Sequence, residues 1–354
     1  MTELTAARLT AQQLSGPRAS HPEEVVTRLL AIQGQDPRAA RLGVRSRSSG
    51  LTAADVDASL TQQRSLLITW LNRGTLHLVT ADDYWWLHPL TTPQLTTANR
   101  RRLAQLGVNP DQTRLGVQVV TDSVTTEGPQ TRRQLRERLR AAGVPTEGQA
   151  LVHVLMAATL AGMVVRGPVV SGEHAYVSVS TWLGRPPSPL HLDEALSRLA
   201  RRYLAGHGPA SDRDLARWAG ITLGGARRGL NVLSDELVRR EDDLVDLAGR
   251  EPASPLPPPR LLGAFDPLLL GWVSREPIVG AHQQVVTSNG LFRPVALVDG
   301  RVVATWALAD GLVSLTPLAN IPRAALAALR LEADDVLRFL GLPPKPCVVL
   351  RGYA

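Results

Sequence analysis

The chain has 354 residues, a formal net charge of +7 and 44% hydrophobic residues. That length is too great for one small core and predicts two to four folding units. A single cysteine, Cys347, excludes an internal disulfide and a cysteine-cluster metal site. No apolar run approaches the roughly 20 residues needed to cross a bilayer. The opening Met1-Thr-Glu-Leu-Thr lacks the regions of a signal peptide, so a cytoplasmic protein with no membrane partner is expected. Lys345 is the single lysine among 39 basic residues. GC-rich codons account for the bias toward arginine but not for the excess of positive charge. Clustered guanidinium forks match phosphate oxygens, so a polyanionic partner is expected.

In chain order, Leu4 to Leu14 reads as an amphipathic helix. His21 to Ile32 reads as a second, with Pro22 in the first turn, where proline is tolerated. The segment Gln33-Gly-Gln-Asp-Pro37 interrupts this pattern, and Arg38, Arg41, Arg45 and Arg47 follow it. Two glutamines two apart on a helix would diverge by about 200°. In an extended or turn segment they share a face. Gly34 and Pro37 favour the second geometry; a plain polar helix end is the alternative. Thr52 caps a third helix, Ala53 to Gln63. Leu66 to Leu71 and Thr75 to Val79 are strand-like runs joined by Asn72-Arg-Gly74, a hairpin signal.

The same order recurs. Val117 to Thr126, a short helix opened by Thr131, Gln149 to Leu160 and strands Met163–Arg166 and Ala175–Val179 form a second copy. Leu196 to Leu204, a helix opened at Ser211, Thr222 to Leu233 and strands Leu237–Arg240 and Leu244–Leu247 form a third. Gly128-Pro-Gln-Thr and Gly208-Pro-Ala-Ser share one spacing. Helices ending in a two-stranded hairpin make a winged helix, and the repeat of roughly 70 to 80 residues implies tandem copies. Proline-rich Glu251 to Arg260 reads as a linker. Beyond it, strands flank the hairpin turn Asp299-Gly300, a helix spans Ile321 to Leu340, and a last strand spans Cys347 to Leu350. The predicted fold is therefore α+β: winged helices at 1–110, 111–188 and 189–250, then at 251–354 a small C-terminal β-barrel or a strongly twisted sheet.

A winged helix places its third helix in a DNA groove and its wing on the backbone. That makes Arg227 and Arg228 on the third helix of the third copy candidate phosphate contacts, with Arg73 and His77 in the first hairpin. His77 is equally compatible with a half-buried strand position. His282 and Arg293 are candidates for a groove contact from the C-terminal segment. Asp266 reads as a turn or capping residue or as a site residue. The remaining histidines show no metal-ligand spacing.

Ile32-Gln-Gly-Gln-Asp-Pro-Arg-Ala-Ala-Arg41, Trp70-Leu-Asn-Arg-Gly-Thr-Leu-His-Leu-Val79, Leu261-Leu-Gly-Ala-Phe-Asp-Pro-Leu-Leu-Leu-Gly-Trp272 and Phe292-Arg-Pro294, followed by Leu297 to Trp306, resemble the AlkZ and YcaQ superfamily of DNA glycosylases. The resemblance runs over nearly the whole chain. It implies three tandem winged helices and a C-terminal β-barrel. It also implies a catalytic motif of glutamine, one residue, then glutamine in AlkZ-like members or aspartate in YcaQ-like ones. Gln33 and Gln35 match the AlkZ-like form, whereas Gly34 departs from the larger apolar residue usual between them. The activity implied is removal of N7-alkylated purines, including bulky or crosslinked adducts, from double-stranded DNA, in some cases protecting an antibiotic producer. No metal or cofactor is expected, and no lysine near the motif suggests lyase chemistry. A monomer is expected. The rival expectation is a non-catalytic DNA-binding regulator or lesion binder.

Overall fold

The computed structural model describes residues 3–240, 243–287 and 289–350. Helices and strands are interspersed along the chain, an α+β composition. Two compact units form: one from residues 1–56, 196–218 and 222–354, the other from 57–195 and 219–221. Among the described residues, no helix is long and apolar enough to cross a membrane.

The 57–195 unit is built on two hairpins. Strands Leu66–Leu71 and Thr75–Thr80 pair antiparallel, from Leu66 opposite Thr80 to Leu71 opposite Thr75. Their turn holds Asn72 at φ 52° and Gly74 at φ 81°, the positive angles that the Asn-Arg-Gly signal predicts. Val164–Val170 and Glu173–Ser178 form the second hairpin. The two hairpins share one sheet. Ile68 pairs with Arg166, and the strands join in one sheet in the order Thr75–Thr80, Leu66–Leu71, Val164–Val170, Glu173–Ser178.

Before the second hairpin run helices Pro110–Thr126, Arg132–Ala141 and Ala150–Leu160. Thr131 accepts from the Gln134 backbone and Gln134 caps it in return, the predicted helix start. Val120, Val124, Leu135, Leu139, Leu151, Val154 and Leu155 from the three helices form a single core. Gly116 lets these helices close up, because a Cβ there would lie 2.7 Å from a Val154 methyl group. Leu151, Val154, Leu155 and Ala158 are buried along the third helix, which packs into this core.

In the other unit, five strands run in the order Val348–Val349, Leu312–Pro317, Arg301–Ala309, Val295–Val298, Arg260–Leu262. The Asp299-Gly300 turn has both φ values positive, at 49° and 74°, as predicted. The helix Arg323–Phe339 buries Leu329, Ala333, Val336 and Leu337. The expected β-barrel is corrected here to an open sheet among the described residues. Its edge strands are two and three residues long, too short to close. The outer N–H of Leu261 donates to the Glu332 carboxylate at 3.1 Å instead of to a further strand. Helices Leu192–His207, Asp212–Ala219 and Leu223–Val232 precede the small hairpin Leu237–Arg239 and Val245–Leu247, the element order expected of the third copy. Ser211 caps its helix through the Asp214 backbone N–H at 3.1 Å.

Candidate active site

The glutamines lie at a junction between two helices. The helix Pro22–Leu29 stops at Leu30, which has φ 66° and ψ −43°. The Ala31 N–H closes a three-residue turn onto the Leu29 carbonyl at 2.8 Å. Ile32–Gln33 is then extended. Asp36 restarts the helix as the cap of Pro37–Arg45, its carboxylate accepting from the Arg38 N–H at 2.9 Å and the Ala39 N–H at 3.2 Å. The motif is thus non-helical, as Gly34 and Pro37 suggest.

In that geometry the two amides meet. Gln33 Nε2 donates to Gln35 Oε1 at 3.0 Å. Gln33 is 7% exposed, whereas Gln35 is exposed. The buried amide therefore holds the exposed one. A carboxamide oxygen has two lone pairs, so Gln35 can accept this bond and one from a water molecule. Its NH₂ group remains a donor. Such a pair can orient water; it cannot take up a proton as a base of useful strength.

The four arginines after the motif divide sharply. Arg38 is exposed. Arg41 is half-buried and donates to the Pro37 carbonyl at 2.8 Å. Arg45 and Arg47, expected to contact DNA, are corrected to structural residues, being 1% and 0% exposed. Arg45 reaches Glu332 at 2.7 Å, Asp335 at 2.8 Å and the Leu261 carbonyl at 2.8 Å. Arg47 makes a bidentate pair with Asp266 at 2.8 and 2.9 Å, and also donates to Gln12. Burial pushes the Glu332 and Asp335 carboxyls up, but the neighbouring arginines outweigh it and hold both below their usual range. Asp266 is a buried cap, accepting from the Leu268 N–H at 2.9 Å.

His77 is likewise corrected. It is 3% exposed, and its Nδ1 lies 2.9 Å from the Thr75 carbonyl. Burial first, then the charge of Arg73, lowers its pKa to about 3, so the ring is neutral. It is a core strand residue. Arg73 in the turn is half-buried. Arg227 and Arg228 are exposed on their helix, with Arg227 paired to Asp212 at 2.7 Å. Arg293 is exposed; its N–H bonds to the Val285 carbonyl at 2.9 Å, close in sequence to half-buried His282. The sequence reading missed Gln12, which braces Arg47 from 35 residues away and whose Nε2 donates to the Gly206 carbonyl.

An acid dependence follows. Burial also lowers His88 to about 4. Both rings are neutral when folded and titrate near 6.5 when unfolded, so their stabilisation is complete above that pH. It is lost as pH falls toward the folded values, at about 1.4 kcal/mol per pH unit for each ring. The thermal midpoint is expected to drop between pH 7 and pH 4, and His77→Gln should flatten that slope.

A "DNA glycosylase AlkZ-like" family model matches residues 26–339. An interstrand DNA cross-link repair glycosylase of Streptomyces sahachiroi is 27% identical over 379 residues, covering 97% of each chain. The structure of Streptomyces sahachiroi DNA glycosylase AlkZ superposes with a TM-score of 0.77 at 25% identity, covering 98% of each chain. With the match running almost end to end, the chain belongs to the AlkZ-like DNA glycosylase family.

Proposed function

We propose that this protein is a monofunctional glycosylase that hydrolyses the N-glycosidic bond of N7-alkylated purines in double-stranded DNA. The observation that carries this reading is the Gln33–Gln35 hydrogen bond, which sets one amide at an exposed helix junction. An N7-alkylated purine is cationic. When its C1′–N9 bond breaks, the bonding pair neutralises the base, which leaves without needing a proton. Positive charge develops on the sugar. Gln35 orients a water whose oxygen bonds to C1′, and the proton is released to solvent. Gln33 fixes Gln35. Positioning and dipolar stabilisation are then sufficient catalysis, and a neutral normal base is not activated enough to leave.

The name of the Streptomyces sahachiroi relative, an interstrand DNA cross-link repair glycosylase, supports extending the proposed substrates to interstrand crosslinks, and the proposal includes a role in resistance to an alkylating antibiotic. We read the chain as a monomer acting in the cytoplasm, with winged helices at 1–110, 111–188 and 189–250. Arg38, beside the motif, and Arg227, Arg228 and Arg293 are exposed cations suited to phosphate. Arg38→Ala should weaken binding evenly across sequences and flatten the salt dependence by about one counterion.

The test is incubation with a duplex carrying one N7-methylguanine, followed by alkali. Strand cleavage at that position, with free base released, is expected. Tight binding of the duplex without release from N7-methyl or bulky N7 adducts would favour a lesion-binding protein.

A further inference from the structure

The chain has three phenylalanines. Phe339 is in the core at 1% exposure, whereas Phe265 and Phe292 are only half-buried. Those two rings meet each other, with centroids 5.9 Å apart and planes at 52°. The Arg275 guanidinium lies 4.8 Å from the Phe292 centroid, and its Nε donates to the Leu269 carbonyl at 2.7 Å. Phe292 is also held by bridge pairing with Val286. One face of Phe292 is therefore already taken by a cation.

Phe265 has φ 55°, the left-handed region that favours glycine. A bulky side chain there is strained, and such outliers cluster at functional sites. The residue follows a close approach of the chain to the helix Pro37–Arg45. A Cβ on Gly263 would lie 3.2 Å from the Ala39 carbonyl oxygen and 3.0 Å from Leu42 Cβ. That helix begins at Pro37, with its cap Asp36 next to Gln35. A partly open aromatic ring, kept at a strained position and buttressed by a second ring, thus lies two residues from a glycine packed on the helix that follows the glutamines.

We propose that Phe265, supported by Phe292, is a specificity-determining contact that offers its π face to the cationic N7-alkylated purine. This rests on the substrate class proposed above and deepens it. The quadrupole of an aromatic ring attracts a cation at its face, and nucleobases stack on such rings whatever their sequence. A purine alkylated at N7 is both a planar base and a cation. A normal purine offers only the first, so the ring would favour the charged lesion over an undamaged base of the same shape.

The probes are two duplexes: one with N7-methyl-2′-fluoro-deoxyguanosine, which is charged and resists hydrolysis, and one with 7-deaza-7-methyl-deoxyguanosine, its uncharged isostere. The wild-type protein should prefer the charged duplex by about tenfold. Phe265→Leu keeps apolar volume and loses the π face; Phe265→Gly removes the ring and relaxes the backbone. Both should abolish the preference, because affinity for the charged duplex falls further than affinity for the uncharged one, which loses only its stacking, and Phe292→Leu should reduce it. A charged-to-uncharged ratio unchanged in the folded Leu and Gly variants would overturn the proposal, as would no preference in a wild-type protein that releases N7-methylguanine. Wild-type protein that prefers the charged duplex through Phe265, but releases no base from hydrolysable N7-methylguanine, would support this contact and contradict the catalytic reading.

Discussion

Asp266→Ala is expected to destabilise the protein by about 3–5 kcal/mol, the cost of leaving a buried charge without its partner. Arg47 and Asp266 both have side chains fully shielded from solvent, 2.8 Å apart. Removing the carboxylate strands a guanidinium that cannot reach water. It also strips the cap from the Leu268 N–H. A loss of this size is a large share of the roughly 5–15 kcal/mol that stabilises a typical domain. Chemical denaturation should show it directly. Asp266→Asn keeps an acceptor and should cost less, and replacing Asp266 and Arg47 together by apolar residues should recover part of the loss. Equal stability of Asp266→Ala and wild type would show that the pair is not a structural lock.

Gln35→Ala is expected to lower single-turnover base release by about 10²-fold, the usual cost of removing one preorganised polar group from a transition state. Binding to undamaged duplex should be unchanged, because Gln35 carries no charge for phosphate. Gln33→Ala should lose less, since the Gln33 amide acts through Gln35 at 3.0 Å. The double variant should be no slower than Gln35→Ala alone. Additive losses would mean that Gln33 contacts the sugar or water independently.

Local chemistry made much of this fold legible. Asn72-Arg-Gly74 and Asp299-Gly300 announce hairpins because only certain residues accept positive φ easily, and Thr131 and Ser211 announce helix starts because their hydroxyls satisfy backbone N–H groups. The convergence of Gln33 and Gln35 was readable for the same reason. What was not legible depends on distance along the chain. Arg45 and Arg47 look like surface cations until Glu332 and Asp266, 287 and 219 residues away, are brought to them. The joining of two hairpins through Ile68 and Arg166 carries no local signal, and strand patterns alone do not distinguish a closed barrel from an open sheet. The helices Ala81–Thr91 and Pro93–Gln105 are absent from the sequence reading; Pro89 lies inside the first and Pro93 opens the second. Pro93 lies in a first turn, where its missing N–H costs nothing. Leu30 gave no hint of its left-handed backbone, because leucine has no preference for it.

On the proposed mechanism a pair of amides suffices because the lesion supplies its own leaving group. This is tested most directly by measuring base release, under single-turnover conditions, from matched duplexes carrying N7-methylguanine or the uncharged base hypoxanthine at the same position. Release of N7-methylguanine, lost in Gln35→Ala, and no detectable release of hypoxanthine are expected. Comparable release of both bases, or full release of N7-methylguanine by Gln35→Ala, would contradict the mechanism.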